Sequence, residues 1–149
     1  MTSYRVARLG TGDGGAAREL FAMMSAVFEV TQEDLSDRYV DELLARRDMW
    51  ILAARDADGI VGGLTAHAIP MTHSEAKEIF IYDVAVRADH QRKGVGRILM
   101  AAVRRFAAAA GSAELFVPAD EDDAGALDFY RAVGGAESRV RFFTFDPEK

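Results

Sequence analysis

The chain has 149 residues, half of them hydrophobic and 28% charged, with a net charge of −6 and no cysteine. That length predicts a single domain over residues 1–149 with room for a proper core. The composition excludes disulfides, cysteine–metal sites and a cysteine nucleophile; no apolar run is long enough for a membrane span, and the acidic balance argues against general nucleic-acid binding and for a cationic partner. The opening Met-Thr-Ser-Tyr-Arg-Val-Ala-Arg-Leu lacks an apolar signal core, so a cytoplasmic protein is expected. His67, His73 and His90 do not cluster at metal-ligand spacing, so no metal is expected.

Residues 4–9 alternate as a strand does. A glycine-rich turn at 10–15 leads to a helix at 16–28, with Leu20, Met24, Val27 and Phe28 on one face. Ser36 is placed to cap a second helix at 37–47, with Tyr39, Leu43 and Leu44 inward. Residues 50–54 and 60–69 read as paired strands turned by Asp56-Ala57-Asp58-Gly59, a hairpin signal. Pro70 closes the third strand, and 78–86 make the fourth. A long helix at 94–110 is ended by Gly111. A fifth strand at 114–117, a short helix at 124–133 ended by Gly134-Gly135, and a last strand at 139–145 follow. The order is β-α-α-β-β-β-α-β-α-β. A helix between strands four and five implies a parallel crossover, while the hairpins are antiparallel. The expected fold class is α/β (α+β), with a central mixed sheet and helices on both faces.

The junction between the fourth strand and the long helix carries Gln91-Arg92-Lys93-Gly94-Val95-Gly96-Arg97. The first-turn N–H groups of a helix lack partners, and the dipole is positive there. Glycines remove Cβ atoms that would hold an anion away from the backbone. Arg92, Lys93 and Arg97 add charge. A phosphate or pyrophosphate ligand is expected. The loop is not a Walker loop, because no Ser or Thr follows Gly96. It is not a dinucleotide fingerprint, because position 99 is not glycine. A second charged feature has the opposite sign: Asp120, Glu121, Asp122, Asp123 and Asp128 lie together without a base. A basic pole and an acidic pole suggest an anionic cofactor and a cationic second ligand. A solvated helix face and a solvated turn are the plainer readings of the two runs.

Gln-x-x-Gly-x-Gly after a strand resembles the acyl-CoA loop of the GCN5-related N-acetyltransferases, and the element order is similar over nearly the whole chain. Ala126-Leu127-Asp128-Phe129-Tyr130-Arg131-Ala132-Val133-Gly134 resembles that family's late helix. The resemblance implies acetyl-CoA as cofactor, with CoA as product. It implies that the amides of residues 92–97 hold the pyrophosphate, with Gln91 also in the cofactor-binding loop, and that the tyrosine hydroxyl lies near the sulfur. The backbones of Val84, Ala85 and Val86 are expected to pair with the pantetheine arm, much as a strand pairs with a peptide.

Four segments narrow the resemblance: Glu78-Ile79-Phe80-Ile81-Tyr82-Asp83-Val84-Ala85-Val86, Val117-Pro118-Ala119-Asp120-Glu121-Asp122-Asp123, Ala126-Leu127-Asp128-Phe129-Tyr130 and Phe143-Thr144-Phe145-Asp146-Pro147. They are similar to motifs of the type-I aminoglycoside 3-N-acetyltransferases. Pro118 stands where that group has glutamine, and Thr144-Phe145 where it has Asp-Ile. The implied activity is acetyl transfer to the 3-amino group of an aminoglycoside.

The chemistry is consistent with this. Aminoglycosides are cationic polyamines, so the acceptor pocket must be acidic while one amine becomes neutral. Asp83 is the favoured base and Glu78 the second choice; Asp120, Glu121, Asp122 and Asp123 are candidate substrate contacts. Aspartate is unfavourable in a strand, so Asp83 needs a reason. Tyr130 is placed to protonate the departing thiolate, and a backbone N–H near Val84 to polarise the thioester carbonyl. Transfer is direct, since no nucleophile for a covalent intermediate is present. Residues 29–35 are expected to frame the acceptor pocket, and His67 and His73 to be structural or incidental. The aromatic last strand, with Phe142, Phe143 and Phe145, offers a homodimer surface. Acetylation of another small polyamine, acetylation of a protein lysine or N-terminus, and a non-catalytic CoA-binding module are the alternatives.

Overall fold

The computed structural model describes residues 3–148. One sheet holds five strands in the order β1 (Arg5–Arg8), β2 (Met49–Arg55), β3 (Ile60–Pro70), β4 (Lys77–Val86) and β5 (Glu114–Phe116). The first three junctions are antiparallel, and β4–β5 is parallel. Helices α1 (Gly14–Phe28) and α2 (Asp37–Ala45) precede β2. Helix α3 (Val95–Ala109) joins β4 to β5, and α4 (Ala124–Ala132) follows. The mixed sheet and the crossover agree with the fold class read from the sequence. The chain divides into two compact units, Met1–Pro118 and Ala119–Lys149.

Within the first unit, two adjacent glycines let helices close onto β3 from opposite sides. A Cβ on Gly63 would lie 2.2 Å from Leu20 Cδ1 of α1, and one on Gly62 would lie 2.8 Å from Val95 Cγ1 of α3. Successive strand residues face opposite ways, so α1 and α3 cover opposite faces of the sheet. Leu20, Met24, Val40, Leu44, Ile51 and Ile60 pack under α1 and α2. Leu99 and Val103 of α3 are buried on the other face, where Trp50 meets Phe106 at 6.3 Å between ring centroids. Each fully buried aliphatic side chain contributes roughly 1.5–3 kcal/mol before entropy is charged.

Local signals explain most boundaries. Ser36 Oγ accepts the Tyr39 N–H at 3.1 Å, the expected cap of α2. Asp56 Oδ1 accepts from the N–H groups of Asp58 and Gly59 at 2.8 and 3.1 Å, which closes the β2–β3 hairpin. The inward face of α2 differs from expectation. Val40 and Leu44 are buried and Tyr39 is 49% exposed. Val40 and Leu44 are four residues apart on one stripe, and that spacing puts Tyr39 off it.

The expected last strand is corrected. Residues 139–145 have no regular secondary structure and belong to no sheet, and the order of strands ends at β5. A strand needs a neighbouring edge to take its main-chain groups. The chain instead leaves α4 through a glycine cap. Gly134 has φ +97°, and the Gly135 N–H donates to Tyr130 O at 2.9 Å. Arg131 then grips Glu137 through two bonds of 2.9 and 3.2 Å.

Candidate active site

Strand β4 is irregular where its sequence becomes polar. Thr65 of β3 pairs with Asp83, but Ala66 pairs with Ile81, so Tyr82 is an extra residue and forms a β-bulge. The bulge switches which residues point to each face. Ile79 and Ile81 before it, and Val84 and Val86 after it, share the α3 face through their partners Ala68, Ala66, Leu64 and Gly62. Glu78, Phe80, Asp83 and Ala85 share the α1 face. Tyr82 itself is 64% exposed.

The same strand has a free edge. Strands β4 and β5 pair only at Glu78↔Glu114, Ile79↔Leu115 and Phe80↔Phe116. Strand β4 then runs on to Val86, while β5 has ended. The Arg87 N–H donates to Val61 O at 2.8 Å, so Arg87 faces β3. By alternation, the main-chain groups of Ala85 also face β3, and those of Val84 and Val86 face the open edge. Gln91 Nε2 donates to Val86 O at 3.1 Å. Gln91 therefore ties the loop to the strand and leaves the backbone of Val84 and the N–H of Val86 for a ligand.

The loop ends on the N-terminus of α3. Its cap residue, Gly94, has φ +87° and offers no side chain to the first-turn amides of Val95, Gly96 and Arg97. A Cβ at Gly94 would meet nothing within 4 Å, so the approach is open. Arg92 adopts φ +60°, an uncommon conformation for a non-glycine residue. Among the described residues, Arg92, Lys93 and Arg97 enter no ion pair, whereas Arg87 is held by Asp89 at 2.8 Å. Arg87 holds the Asp89 carboxyl down to about 2. Unpartnered amides, a positive helix end and three free cations fit a diphosphate.

The expected base is held in place. Thr65, 3% exposed, donates its hydroxyl to Asp83 Oδ2 at 2.6 Å. Asp83 and Glu78 lie on one face but are separated by four steps along β3, roughly 13 Å. They do not act on one atom together. Between them lies an aromatic strip. The Tyr82 ring stands edge-on to Phe80 at 5.7 Å and to His67 at 5.9 Å, and Phe80 stacks on Phe116 at 5.1 Å. His67 also lines a hollow with Tyr39, Glu42, Leu43, Arg46 and Met49. A second hollow is lined by Arg18, Phe21, Gln32, Glu33, Asp34 and Leu35, which includes part of the segment expected to frame the acceptor.

The remaining candidates belong to the second unit. Asp120, Glu121, Asp122 and Asp123 are exposed. Asp123 caps α4 by accepting the Ala126 N–H at 3.0 Å, so one of the four acids has a structural duty. Tyr130 is half-buried beside Phe129, with ring centroids 5.2 Å apart. Burial first, and the negative Asp123 second, push its phenol above the usual tyrosine value. It therefore keeps its proton at neutral pH and is available as an acid.

A model of the Acetyltransferase (GNAT) family matches residues 17–134. The chain belongs to the GNAT acetyltransferase family. It is similar to an aminoglycoside acetyltransferase from an uncultured soil metagenomic sample, solved with sisomicin: 33% identity, TM-score 0.91, covering 96% of this chain and 95% of that one. A second soil metagenomic aminoglycoside acetyltransferase is 29% identical with TM-score 0.90, covering 97% and 99%. The streptothricin acetyltransferase of Streptomyces lavendulae is 30% identical over 126 residues, 85% of this chain. The chain spans 65% of that relative's length. An aminoglycoside N-acetyltransferase solved with CoA has TM-score 0.83 at 15% identity, a likeness of fold.

For this GNAT chain, sequence reasoning missed Thr65, the Tyr82 bulge and the hollow beside His67. The bulge had a signal. The apolar pairs Ile79/Ile81 and Val84/Val86 are out of phase by one residue, which a regular strand does not allow if both face one core. Thr65 had none, because its partner is 18 residues away.

Proposed function

We propose that this chain is an acetyl-CoA-dependent N-acetyltransferase whose acceptor is an aminoglycoside. The observation that carries this reading is the 33% identity to the sisomicin-bound metagenomic enzyme over 96% of this chain and 95% of that one. The motif resemblance of residues 78–86 and 117–123 supports transfer to the 3-amino group. The family match from 17 to 134 runs through both compact units, which supports reading them as one acetyltransferase domain.

When bound, acetyl-CoA supplies the acetyl group as a thioester. The chain's own groups then do five things. The amides of Val95, Gly96 and Arg97, with Arg92 and Lys93, bind the diphosphate, and Gly94 leaves room for it. The open edge at Val84 and Val86 takes the amide-bearing arm, and a free N–H there stabilises negative charge on the carbonyl oxygen. Asp83, oriented by Thr65, takes a proton from the acceptor's ammonium, directly or through water, and the neutral amine then attacks the thioester carbonyl. Tyr130 gives its proton to the departing thiolate. Glu78, too far from Asp83 to share this task, favours the acceptor's cationic charge, with Asp120, Glu121 and Asp122.

A second reading, acetylation of streptothricin, is favoured by the 30% identity to the Streptomyces enzyme. One experiment separates the two. Thiol release from acetyl-CoA is followed with gentamicin, kanamycin, streptothricin, spermidine and a lysine peptide, and the product is mapped by NMR. Preferred turnover of gentamicin with the acetyl group on its 3-amine supports the proposal. Preferred turnover of streptothricin or of the peptide replaces it.

A further inference from the structure

We infer that His90 is a positioning residue for the diphosphate loop, held from two other parts of the sheet by Tyr4 and Asp56. The inference rests on reading residues 92–97 as the site of the CoA diphosphate. His90 ends the short 3₁₀ helix Ala88–His90 and directly precedes Gln91, where the loop begins. Only 12% of its side chain is exposed, and no step of the proposed reaction uses it. A buried, titratable ring at the foot of a ligand loop needs an account.

The sheet brings distant segments to this ring. Strands β1 and β2 are antiparallel with Arg5 opposite Arg55, so one more step of register sets Tyr4 beside Asp56. Strand β3 starts after the turn that Asp56 closes, and β4 ends against that start, with Val86 opposite Gly62. One end of the sheet therefore carries Tyr4, the hairpin and the exit of β4 towards α3. Tyr4 Oη lies 3.0 Å from His90 Nδ1, and the two rings meet edge-on at 5.8 Å. On the other side of the ring, His90 Nε2 lies 3.5 Å from Asp56 Oδ2 and 3.9 Å from Asp89 Oδ2. A nitrogen that faces two carboxylates carries a proton, and the Tyr4 hydroxyl can donate to Nδ1 or accept from it.

Asp56 is a fixed anchor. Its Oδ1 is engaged by the N–H groups of Asp58 and Gly59, and its side chain is 8% exposed. Asp89 is drawn to Arg87 instead, at 2.8 Å. The loop needs a hold of this kind. Arg92 sits at φ +60°, a conformation that persists only where the surroundings impose it. The loop's own tie, Gln91 Nε2 to Val86 O, returns to the strand the chain has just left. It sets no distance to β1 or to the hairpin, and His90 does. With His90 pinned on both sides, the first-turn amides of α3 meet the diphosphate in a loop that is already ordered, so less affinity is lost to ordering it.

The test is calorimetric titration of CoA into the full chain, with thermal melts of each variant. Asp56→Asn keeps an oxygen for the Asp58 and Gly59 amides, so the hairpin stays closed while the carboxylate facing His90 is lost. His90→Ala and Asp56→Asn should each raise the Kd for CoA by roughly tenfold. At saturating acetyl-CoA, kcat should stay within about twofold of wild type while the KM for acetyl-CoA rises. The double variant should bind no more weakly than the weaker single one, because both changes remove one interaction. If His90→Ala does not fold, His90→Gln takes its place in the same cycle. Folded variants that bind CoA as tightly as wild type, effects that add, or a fall in kcat with Kd unchanged would overturn the positioning role. A wild-type chain that binds no CoA would overturn the reading of the loop instead.

Discussion

Asp83 gathers the most physical constraint at the residue scale. Its carboxylate sits just after a bulge, accepts a 2.6 Å bond from a buried threonine, and follows an exposed tyrosine. A base must be fixed in direction as well as present. Asp83→Asn keeps the shape and can still accept from Thr65. It should lower kcat by roughly 10²–10⁴-fold, with the KM for acetyl-CoA nearly unchanged. Glu78→Gln should leave kcat within a few-fold and raise the acceptor's KM. Steady-state kinetics of the two variants check the division. If Glu78→Gln instead loses kcat and Asp83→Asn does not, the roles are reversed.

Tyr130 gives a prediction with a sign. Its folded-state value is raised, so the neutral phenol is favoured by folding. Its contribution to stability is fully present below the ordinary tyrosine value of about 10, and it is lost as pH rises through the folded value. Between neutral pH and that range the acid remains loaded. Tyr130→Phe should therefore lower kcat by a similar factor, roughly 10²-fold, at every pH from neutral up to about 9. A pH–rate profile of both proteins checks this. A wild-type rate that falls with an apparent value near neutrality, and a variant that lacks the fall, would contradict the assignment.

At the scale of elements, the sheet's closeness to its helices rests on glycine. Gly63→Ala would drive a methyl against Leu20, a contact of 2.2 Å before relaxation. Overpacking of this kind costs about 1–3 kcal/mol, so thermal unfolding should shift down by several degrees. Gly94→Ala meets no atom but sits at φ +87°, so its cost comes from backbone conformation, about 1–2 kcal/mol. Reversible melts of both variants distinguish clash from strain, because Leu20→Ala should rescue only the first.

The elements also show what was legible in the sequence. Alternation, the Asp58-Gly59 turn, the Ser36 cap and Gly111 set nine elements within a few residues of their observed ends. These signals are local, and the structure obeys them because the same residues satisfy main-chain groups or face the core. Two readings needed non-local information. Tyr39 looked inward until Val40 and Leu44 took the buried stripe. The segment 139–145 looked like a strand of this chain's sheet, but β-propensity does not specify which edge receives a strand. For the site, residue types and spacing brought out the glycine loop and Asp83. The split between β4 and β5 and the Thr65 bond appear only when distant segments meet.

At the scale of the whole molecule, charge and fold meet the proposed chemistry. The net charge of −6 suits a polycationic acceptor, and salt should weaken its binding. The cations that run against this balance, Arg92, Lys93 and Arg97, surround the start of α3, where an anion is expected. The likeness to the sisomicin-bound enzyme covers 96% of this chain and 95% of that one. The most direct test is steady-state acetyl transfer from acetyl-CoA to sisomicin, read by thiol release and by the mass of the product. Saturable turnover, at least tenfold above that with a lysine peptide, is the predicted result. Equal or better turnover of the peptide, or no acetylated sisomicin while CoA still raises the melting temperature, would contradict the assignment of the acceptor.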